Sequence, residues 1–247
     1  MSKKILISFA TNDKWYRSQH FLNESAKTHG IDGVVSYNPN NLDNTFITRH
    51  PEIFNSDITT KTRGYGYWMW KSMILKQTMD LVDYGDFVIY VDSGNLIINN
   101  LDYIFNECDK HEIILFDNRD GNYERTTHKN KNWVKRDAFV LMNCDEQRYY
   151  DSPQVDGAYG VYKKTDSTLN FIDEYLRYCE NENIISDLPN ITKSNLTEYI
   201  DHRHDQSILS LMAEKYGMKL YPEPSEWGNY LIDRPYPQLF WHNRGIF

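Results

Sequence analysis

Residues 85–94 read Gly-Asp-Phe-Val-Ile-Tyr-Val-Asp-Ser-Gly, and this stretch decides the fold prediction. The apolar run at residues 87–91 is bounded by turn-forming residues, which predicts a short buried strand at the centre of a sheet. Asp92 follows at the carboxyl end of that strand, the edge where open α/β sheets bind ligands. The residues alone leave two interpretations open: a ligand-binding carboxylate, or an ordinary turn made by Asp92, Ser93 and Gly94.

Strands and helices are predicted to alternate outward from this stretch. The predicted strands are residues 4–9, 33–37, 87–91, 112–116, 137–142, 158–162 and 218–221, and the predicted helices are residues 15–29, 67–82, 101–109, 167–179 and 206–215. Such alternation predicts an α/β fold with a mainly parallel sheet and helices on both faces. No repeat or linker composition interrupts the chain, so a single domain is expected, with an irregular proline-rich tail that lies over the surface.

Composition excludes several classes of protein. The chain has 35 acidic and 27 basic residues and a formal net charge of −8, which argues against general nucleic-acid binding. Its three cysteines form no disulfide framework and no metal-binding pair. No apolar run reaches the length of a membrane span, and no signal peptide is recognised, so a cytoplasmic location is predicted.

A basic, aromatic segment precedes the central strand. Residues 63–71 read Arg-Gly-Tyr-Gly-Tyr-Trp-Met-Trp-Lys, just ahead of the helix predicted at residues 67–82. A glycine-loosened loop that enters a helix is a ready anion site, and Arg63 or Lys71 can neutralise a diphosphate there. The alternative is a packed aromatic cluster flanked by two solvated cations.

These two motifs together resemble the GT-A glycosyltransferases, in which a GYGYWxWK-type segment precedes a DxD-like turn. The segment His-Arg-His-Asp-Gln-Ser at residues 202–207 and the pair Trp241-His242 in the tail are similar to the same group. The resemblance extends from Ile5 to His242. It implies a GT-A domain over residues 1–247, with a nucleotide-sugar-binding half (1–116) and an acceptor-side half (117–247) whose tail covers the site.

The resemblance also implies an activity. The enzyme would move a hexose-type sugar from a nucleotide-diphosphate donor, a UDP-sugar, to an acceptor hydroxyl of a glycan, protein or small molecule, with retention of anomeric configuration. The implied donor-binding residues are Phe9, Ala10 and Thr11 at the nucleobase and ribose, Arg63 and Lys71 at the diphosphate or donor sugar, and the turn Asp92, Ser93 and Gly94. The implied catalytic residues at the sugar are Asp156, Asp205 and Gln206.

The expected metal site departs from the family pattern. Gly94 stands where the second aspartate of DxD is expected, so Asp92 and His242 would hold Mn²⁺ or Mg²⁺ with help from diphosphate oxygens and water. Alternatively, Arg63 and Lys71 would balance the diphosphate charge without a metal.

Two other functions compete with transfer. A nucleotidyltransferase would need a glycine-rich basic loop after the first strand, but residues 10–14 read Ala-Thr-Asn-Asp-Lys. A nucleotide-sugar-binding protein without transfer activity is the other alternative, given the missing second aspartate. Asp205 also has a structural interpretation, as the N-cap of the helix predicted at residues 206–215.

Overall fold

A computed structural model describes residues 2–54, 62–119 and 128–244 of the chain. Its centre is a six-stranded sheet with the strand order β2-β1-β3-β6-β5-β7. These strands are β1 (Lys4–Phe9), β2 (Gly33–Tyr37), β3 (Phe87–Val91), β5 (Ile113–Asp117), β6 (Val155–Lys163) and β7 (Leu220–Tyr221). Only β6 runs antiparallel to its neighbours, β3 and β5, so the prediction of a mainly parallel α/β sheet is confirmed.

Helices cover both faces of this sheet. They are α1 (Asp13–Lys27), α2 (Asn44–Arg49), α3 (Pro51–Phe54), α4 (Trp70–Leu81), α5 (Asp102–His111), α6 (Asn130–Trp133), α7 (Arg136–Leu141), α8 (Gln147–Asp151), α9 (Asp166–Cys179), α10 (Glu182–Ile185) and α11 (His204–Lys215). Helices α4, α9 and α11 pack on one face, and α1 and α5 pack on the other. None of the helices in the described ranges combines the length and the apolarity that crossing a membrane would require.

Strand β3 shows why the apolar run at residues 87–91 is central. All five of its residues are buried, because side chains alternate between two covered faces. Val88 and Tyr90 join the core beneath α4, whereas Ile89 and Val91 join the core beneath α1. A strand buried on both faces needs a continuous apolar run rather than an alternating one.

The prediction of a strand at residues 137–142 is wrong, because helix α7 occupies this segment. A short apolar run does not distinguish a buried strand from a buried helix. Tertiary contacts decide here: the Asp137 carboxylate accepts hydrogen bonds from the backbone N–H groups of Ile191 (2.8 Å) and Thr192 (3.0 Å). These bonds tie α7 to a distant loop instead of to the sheet.

The C-terminal tail is more regular than the sequence predicts. Strand β8 (Phe240–His242) pairs antiparallel with β4 (Asn95–Ile97), and Asn95 lies opposite His242. The carbonyl of Gly94 then accepts the backbone N–H groups of Asn243 (2.9 Å) and Arg244 (3.1 Å). The tail is therefore fixed against the turn that follows β3.

Candidate functional site

A cleft of about 460 Å³ opens at the carboxyl ends of β1 and β3. These two strands are parallel neighbours, and β2 lies beyond β1 whereas β6 lies beyond β3. The connections therefore leave the two strands in opposite directions, which opens a crevice at their carboxyl ends. The cleft is lined by Phe9, Ala10, Thr11, Trp15, Gly64, Tyr65, Trp68, Trp70, Tyr90, Asp92, Ser93, Gly94, Asn95, Ala158, His242 and Arg244.

Aromatic rings form one wall of the cleft. The rings of Phe9 and Trp70 stack with their centroids 3.9 Å apart, and the ring of Tyr65 lies 6.0 Å from that of Phe9. Both Phe9 and Trp70 are buried, so this wall is anchored in the core. A flat apolar wall beside a polar turn suits a planar ligand with a charged end, such as a nucleotide.

The backbone of this wall is left-handed over residues 64–68, where five successive φ angles lie between 56° and 86°. Tyr67 N–H bonds to Arg63 O at 2.7 Å, and the indole N–H of Trp70 bonds to Gly64 O at 2.9 Å. The left-handed conformation costs roughly 1–2 kcal/mol for each non-glycine residue. Surrounding contacts maintain this strain at the wall of the cleft, and stored strain of this kind clusters at functional sites.

Asp92 projects from the polar side of the cleft. Its side chain is 41% exposed, its carboxylate accepts a hydrogen bond from the Tyr90 hydroxyl, and its backbone N–H donates to Ala158 O at 2.9 Å. Burial, and then the charge of Asp92, hold the pKa of Tyr90 well above its ordinary value, so Tyr90 remains a donor. Asp92 is therefore oriented at the strand end while part of its carboxylate faces the ligand space.

Lys71 lies behind the wall and does not line the cleft. Its ammonium is 2.7 Å from the Asp205 carboxylate, 3.9 Å from that of Asp92, and donates to Gly157 O at 2.8 Å. Burial by itself lowers the pKa of Lys71, but the charges of Asp205 and Asp92 outweigh it and raise the pKa above its ordinary value. The structure thus brings two predicted site residues, Asp92 and Asp205, together around the buried ammonium of a third, Lys71.

Gln206 and Asp205 share the first turn of α11, which begins at His204, so Asp205 is not the N-cap that its sequence position predicts. The Gln206 side-chain oxygen accepts from Gly157 N at 3.4 Å. Gln206 therefore contacts the backbone near the start of β6 directly, and Asp205 is linked to it through Lys71. Arg63 lies apart from this group, 3.0 Å from Asp201, and is not among the residues that line the cleft.

His242 and Asp92 line the same cleft, as the metal prediction requires. The His242 Nδ1 atom lies 3.3 Å from the Glu226 carboxylate without a hydrogen bond to it, and the Nε2 atom lies 3.2 Å from the Tyr159 hydroxyl. Across residues 2–54, 62–119 and 128–244, however, no three His, Cys, Asp or Glu side chains are grouped to hold a metal ion. A divalent ion at Asp92 and His242 would therefore have to take its other ligands from a diphosphate and water.

A second chamber, of about 350 Å³, adjoins the cleft and shares His242 and Arg244 with it. Its other lining residues are Asn118, Arg119, His128, Asp156, Glu223 and Trp227. Asp156 is half-buried in this chamber, and burial raises the pKa of its carboxyl to about 6. The predicted catalytic residue Asp156 thus faces the second chamber, whereas Asp205 lies behind the cleft.

Sequence reasoning missed three charged residues of these chambers, Arg119, Arg244 and Glu223. Arg244 is exposed, and its guanidinium lies 5.6 Å from the centre of the Trp227 ring. It is thus available to an anion, unlike Lys71, which is engaged by carboxylates. Glu223 follows β7 by two residues, so its position just beyond the carboxyl end of a strand was the signal that could have found it.

The comparisons with known proteins add no relative. No protein-family model matches this sequence, and no curated protein matches it either.

Proposed function

We propose that this chain is a glycosyltransferase of the GT-A type that uses a nucleotide-diphosphate sugar, with a UDP-sugar as the preferred donor. One observation carries the proposal: Asp92, the aromatic wall and Arg244 line one cleft at the carboxyl edge of the sheet. This combination suits a base, a ribose and a diphosphate in that order. The second chamber, joined to the cleft at His242 and Arg244, leaves room for the sugar and its acceptor.

The charges of the site suit departure of a diphosphate. Sugar transfer gathers negative charge on the leaving phosphate and positive charge on the anomeric carbon. Arg244 lies on the phosphate side, and a divalent ion held by Asp92 and His242 would add positive charge there when bound. Asp156, on the side of the second chamber, offers a carboxyl group near the sugar.

Lys71 has a supporting role in this scheme. Because its ammonium neutralises Asp205 and lies 3.9 Å from Asp92, it limits repulsion between the two acids. The resemblance implies that Lys71 faces the diphosphate, whereas the contacts described here support an indirect role.

A nucleotidyltransferase and a nucleotide-sugar-binding protein without transfer activity are the competing functions. Turnover of a panel of UDP-, GDP- and CDP-sugars tests the proposal, with release of free nucleoside diphosphate as the signal. We expect UDP-sugars to be preferred and Asp92→Asn to reduce turnover at least about 100-fold, as for loss of a group that stabilises transition-state charge.

The matched control is Asp83→Asn, since Asp83 is an exposed carboxylate in the turn at the opposite end of β3. This control should turn over donor at the wild-type rate. A folded Asp92→Asn variant with unchanged turnover would remove Asp92 from the active site, and preference for GDP-sugars would contradict the donor assignment.

A further inference from the structure

Glu223 is a buried carboxyl to which the resemblance assigns no role. It stands between Pro222 and Pro224, is 2% exposed and lines the second chamber. Its Oε2 accepts the backbone N–H of Ser225 at 3.0 Å, whereas its Oε1 has no hydrogen-bond partner among the described residues. A buried polar atom without a partner is costly, so Oε1 is a candidate contact for a ligand hydroxyl.

The backbone around Glu223 is held firmly. The Arg234 guanidinium donates to the carbonyls of Glu223 (3.3 Å) and Ser225 (2.8 Å). Gly228 packs so closely that a Cβ atom there would lie 2.1 Å from Glu223 O. The two flanking prolines fix φ on either side, so the carboxyl is presented from a rigid frame.

We propose that the second chamber is the acceptor subsite and that Glu223 is the general base that takes the proton of the acceptor hydroxyl. This inference rests on the proposed function and deepens it. Because His242 and Arg244 line both chambers, an acceptor in the second chamber would lie next to a donor in the cleft. The resemblance implies a catalytic role at the sugar for Asp156 and no role for Glu223.

The environment of Glu223 suits a base. Burial, followed by the nearby charge of Asp156, raises the pKa of the Glu223 carboxyl to about 8. A catalytic base works best when its pKa is near the operating pH, because it then binds the proton strongly and is still partly ionised. The ordinary glutamate pKa would make a much weaker base.

The step balances in atoms and electrons. The acceptor oxygen forms a bond to the anomeric carbon while the bond from that carbon to the diphosphate oxygen breaks. The electron pair of the broken bond leaves with the diphosphate, and the hydroxyl proton moves to Glu223. A separate base of this kind serves direct displacement, so the product has inverted anomeric configuration, in contrast to the retention that the resemblance implies.

The chamber also indicates the class of acceptor. Trp227 presents a ring that is 39% exposed, and Asn118 and Arg119 add polar groups around it. An indole face beside hydrogen-bonding groups suits a sugar ring, which has an apolar face and hydroxyl edges. The acceptor is therefore a glycoside rather than a lipid alcohol.

The test compares Glu223→Gln with wild type, using UDP-hexoses as donors and a panel of methyl glycosides, together with water, as acceptors. Glutamine keeps the shape and can accept the Ser225 N–H but cannot take a proton. We expect transfer and donor hydrolysis to fall about 10²- to 10⁴-fold while UDP affinity stays within about twofold. Proton NMR of the wild-type product should show inverted configuration.

Two further variants make the test specific. Asp83→Asn changes an exposed carboxylate at the opposite end of β3, which lines neither chamber, and it should transfer at the wild-type rate. Trp227→Ala should raise the acceptor KM about 2- to 10-fold, as expected for loss of ring stacking.

Each contrary outcome would overturn a different part of the proposal. Wild-type transfer by Glu223→Gln, or retained configuration in the product, overturns the base while leaving the glycosyltransferase assignment intact, because nucleoside diphosphate is still released. An unchanged acceptor KM in Trp227→Ala overturns the acceptor subsite. Absence of turnover by wild type with every donor and acceptor overturns the proposed function and this inference together.

Discussion

The buried ion pair of Lys71 and Asp205 yields a quantitative prediction. Their side chains are 6% and 4% exposed and meet at 2.7 Å. Lys71→Met leaves the Asp205 carboxylate buried without its partner, and Asp205→Asn leaves the ammonium short of a full charge partner. Breaking a buried pair from one side costs about 3–5 kcal/mol of the free energy of unfolding.

The double variant Lys71→Met/Asp205→Asn should be far less destabilised than the sum of the two single variants. It buries no unpaired charge at this position, so we expect a coupling of about 2–3 kcal/mol between the two sites. The 3.9 Å contact from Lys71 to the half-exposed Asp92 adds little, because solvent screens it. Urea unfolding of the four proteins at pH 7 measures this coupling directly.

Calorimetry of UDP binding to the same proteins distinguishes an indirect role of Lys71 from direct contact between Lys71 and UDP. Lys71 does not line the cleft, so Lys71→Met should bind UDP within about threefold of wild type wherever it is folded. If the losses of unfolding free energy in the two single variants simply add in the double variant, the predicted coupling between Lys71 and Asp205 is refuted. A stable Lys71→Met protein that loses UDP binding would indicate that Lys71 contacts the diphosphate directly, as the resemblance implies.

Three other predictions follow from the structure. Gly64→Ala should be destabilised by several kcal/mol more than Gly217→Ala. Both glycines have a positive φ, but only at Gly64 would a Cβ atom lie 2.1 Å from the Trp68 ring. Equal melting temperatures of the two variants would contradict the left-handed backbone at residues 64–68. The fold raises the pKa of Glu223 from 4.5 in the unfolded chain to about 8. The contribution of this carboxyl group to the free energy of unfolding is therefore complete below pH 4.5 and is lost as the pH rises to 8. Glu223→Gln should therefore gain unfolding free energy relative to wild type over this range, by at most about 5 kcal/mol, and a pH-independent difference would contradict the shift. His242→Ala should weaken UDP binding with Mn²⁺ and change little without it; equal loss in both conditions would remove His242 from the metal site.

The sequence predicts the sheet edge well because its signals are local. The strand at residues 87–91 is buried on both faces, and five consecutive apolar residues are enough to predict such a strand. The position of Asp92 then follows from strand direction alone. Phe9, Ala10 and Thr11, which the resemblance places at the nucleobase and ribose, stand at the end of β1, and all three line the cleft.

Distant contacts account for what the sequence does not predict. Three aromatic residues adopt left-handed backbone in the wall at residues 64–68, which no local preference favours; tertiary bonds such as Trp70 to Gly64 O impose it. The ion-pair partner of Lys71 lies on α11, far along the chain. The local sequence therefore does not show towards which residue the Lys71 side chain points. Glu223 lies in a proline-rich segment that carries no periodic signal, and only the position of β7 reveals it.

Phosphorus NMR of the wild-type protein with a UDP-hexose, an acceptor glycoside, pyrophosphate and Mg²⁺ distinguishes the competing reactions, because it shows which bond breaks. A glycosyltransferase cleaves the bond between the anomeric carbon and the diphosphate, so we expect UDP as the new phosphorus-containing product, formed together with a new glycoside. Release of a sugar phosphate together with a nucleotide monophosphate or triphosphate would mean cleavage within the diphosphate, as in a nucleotidyltransferase. That result, or an unchanged donor spectrum, would contradict the account.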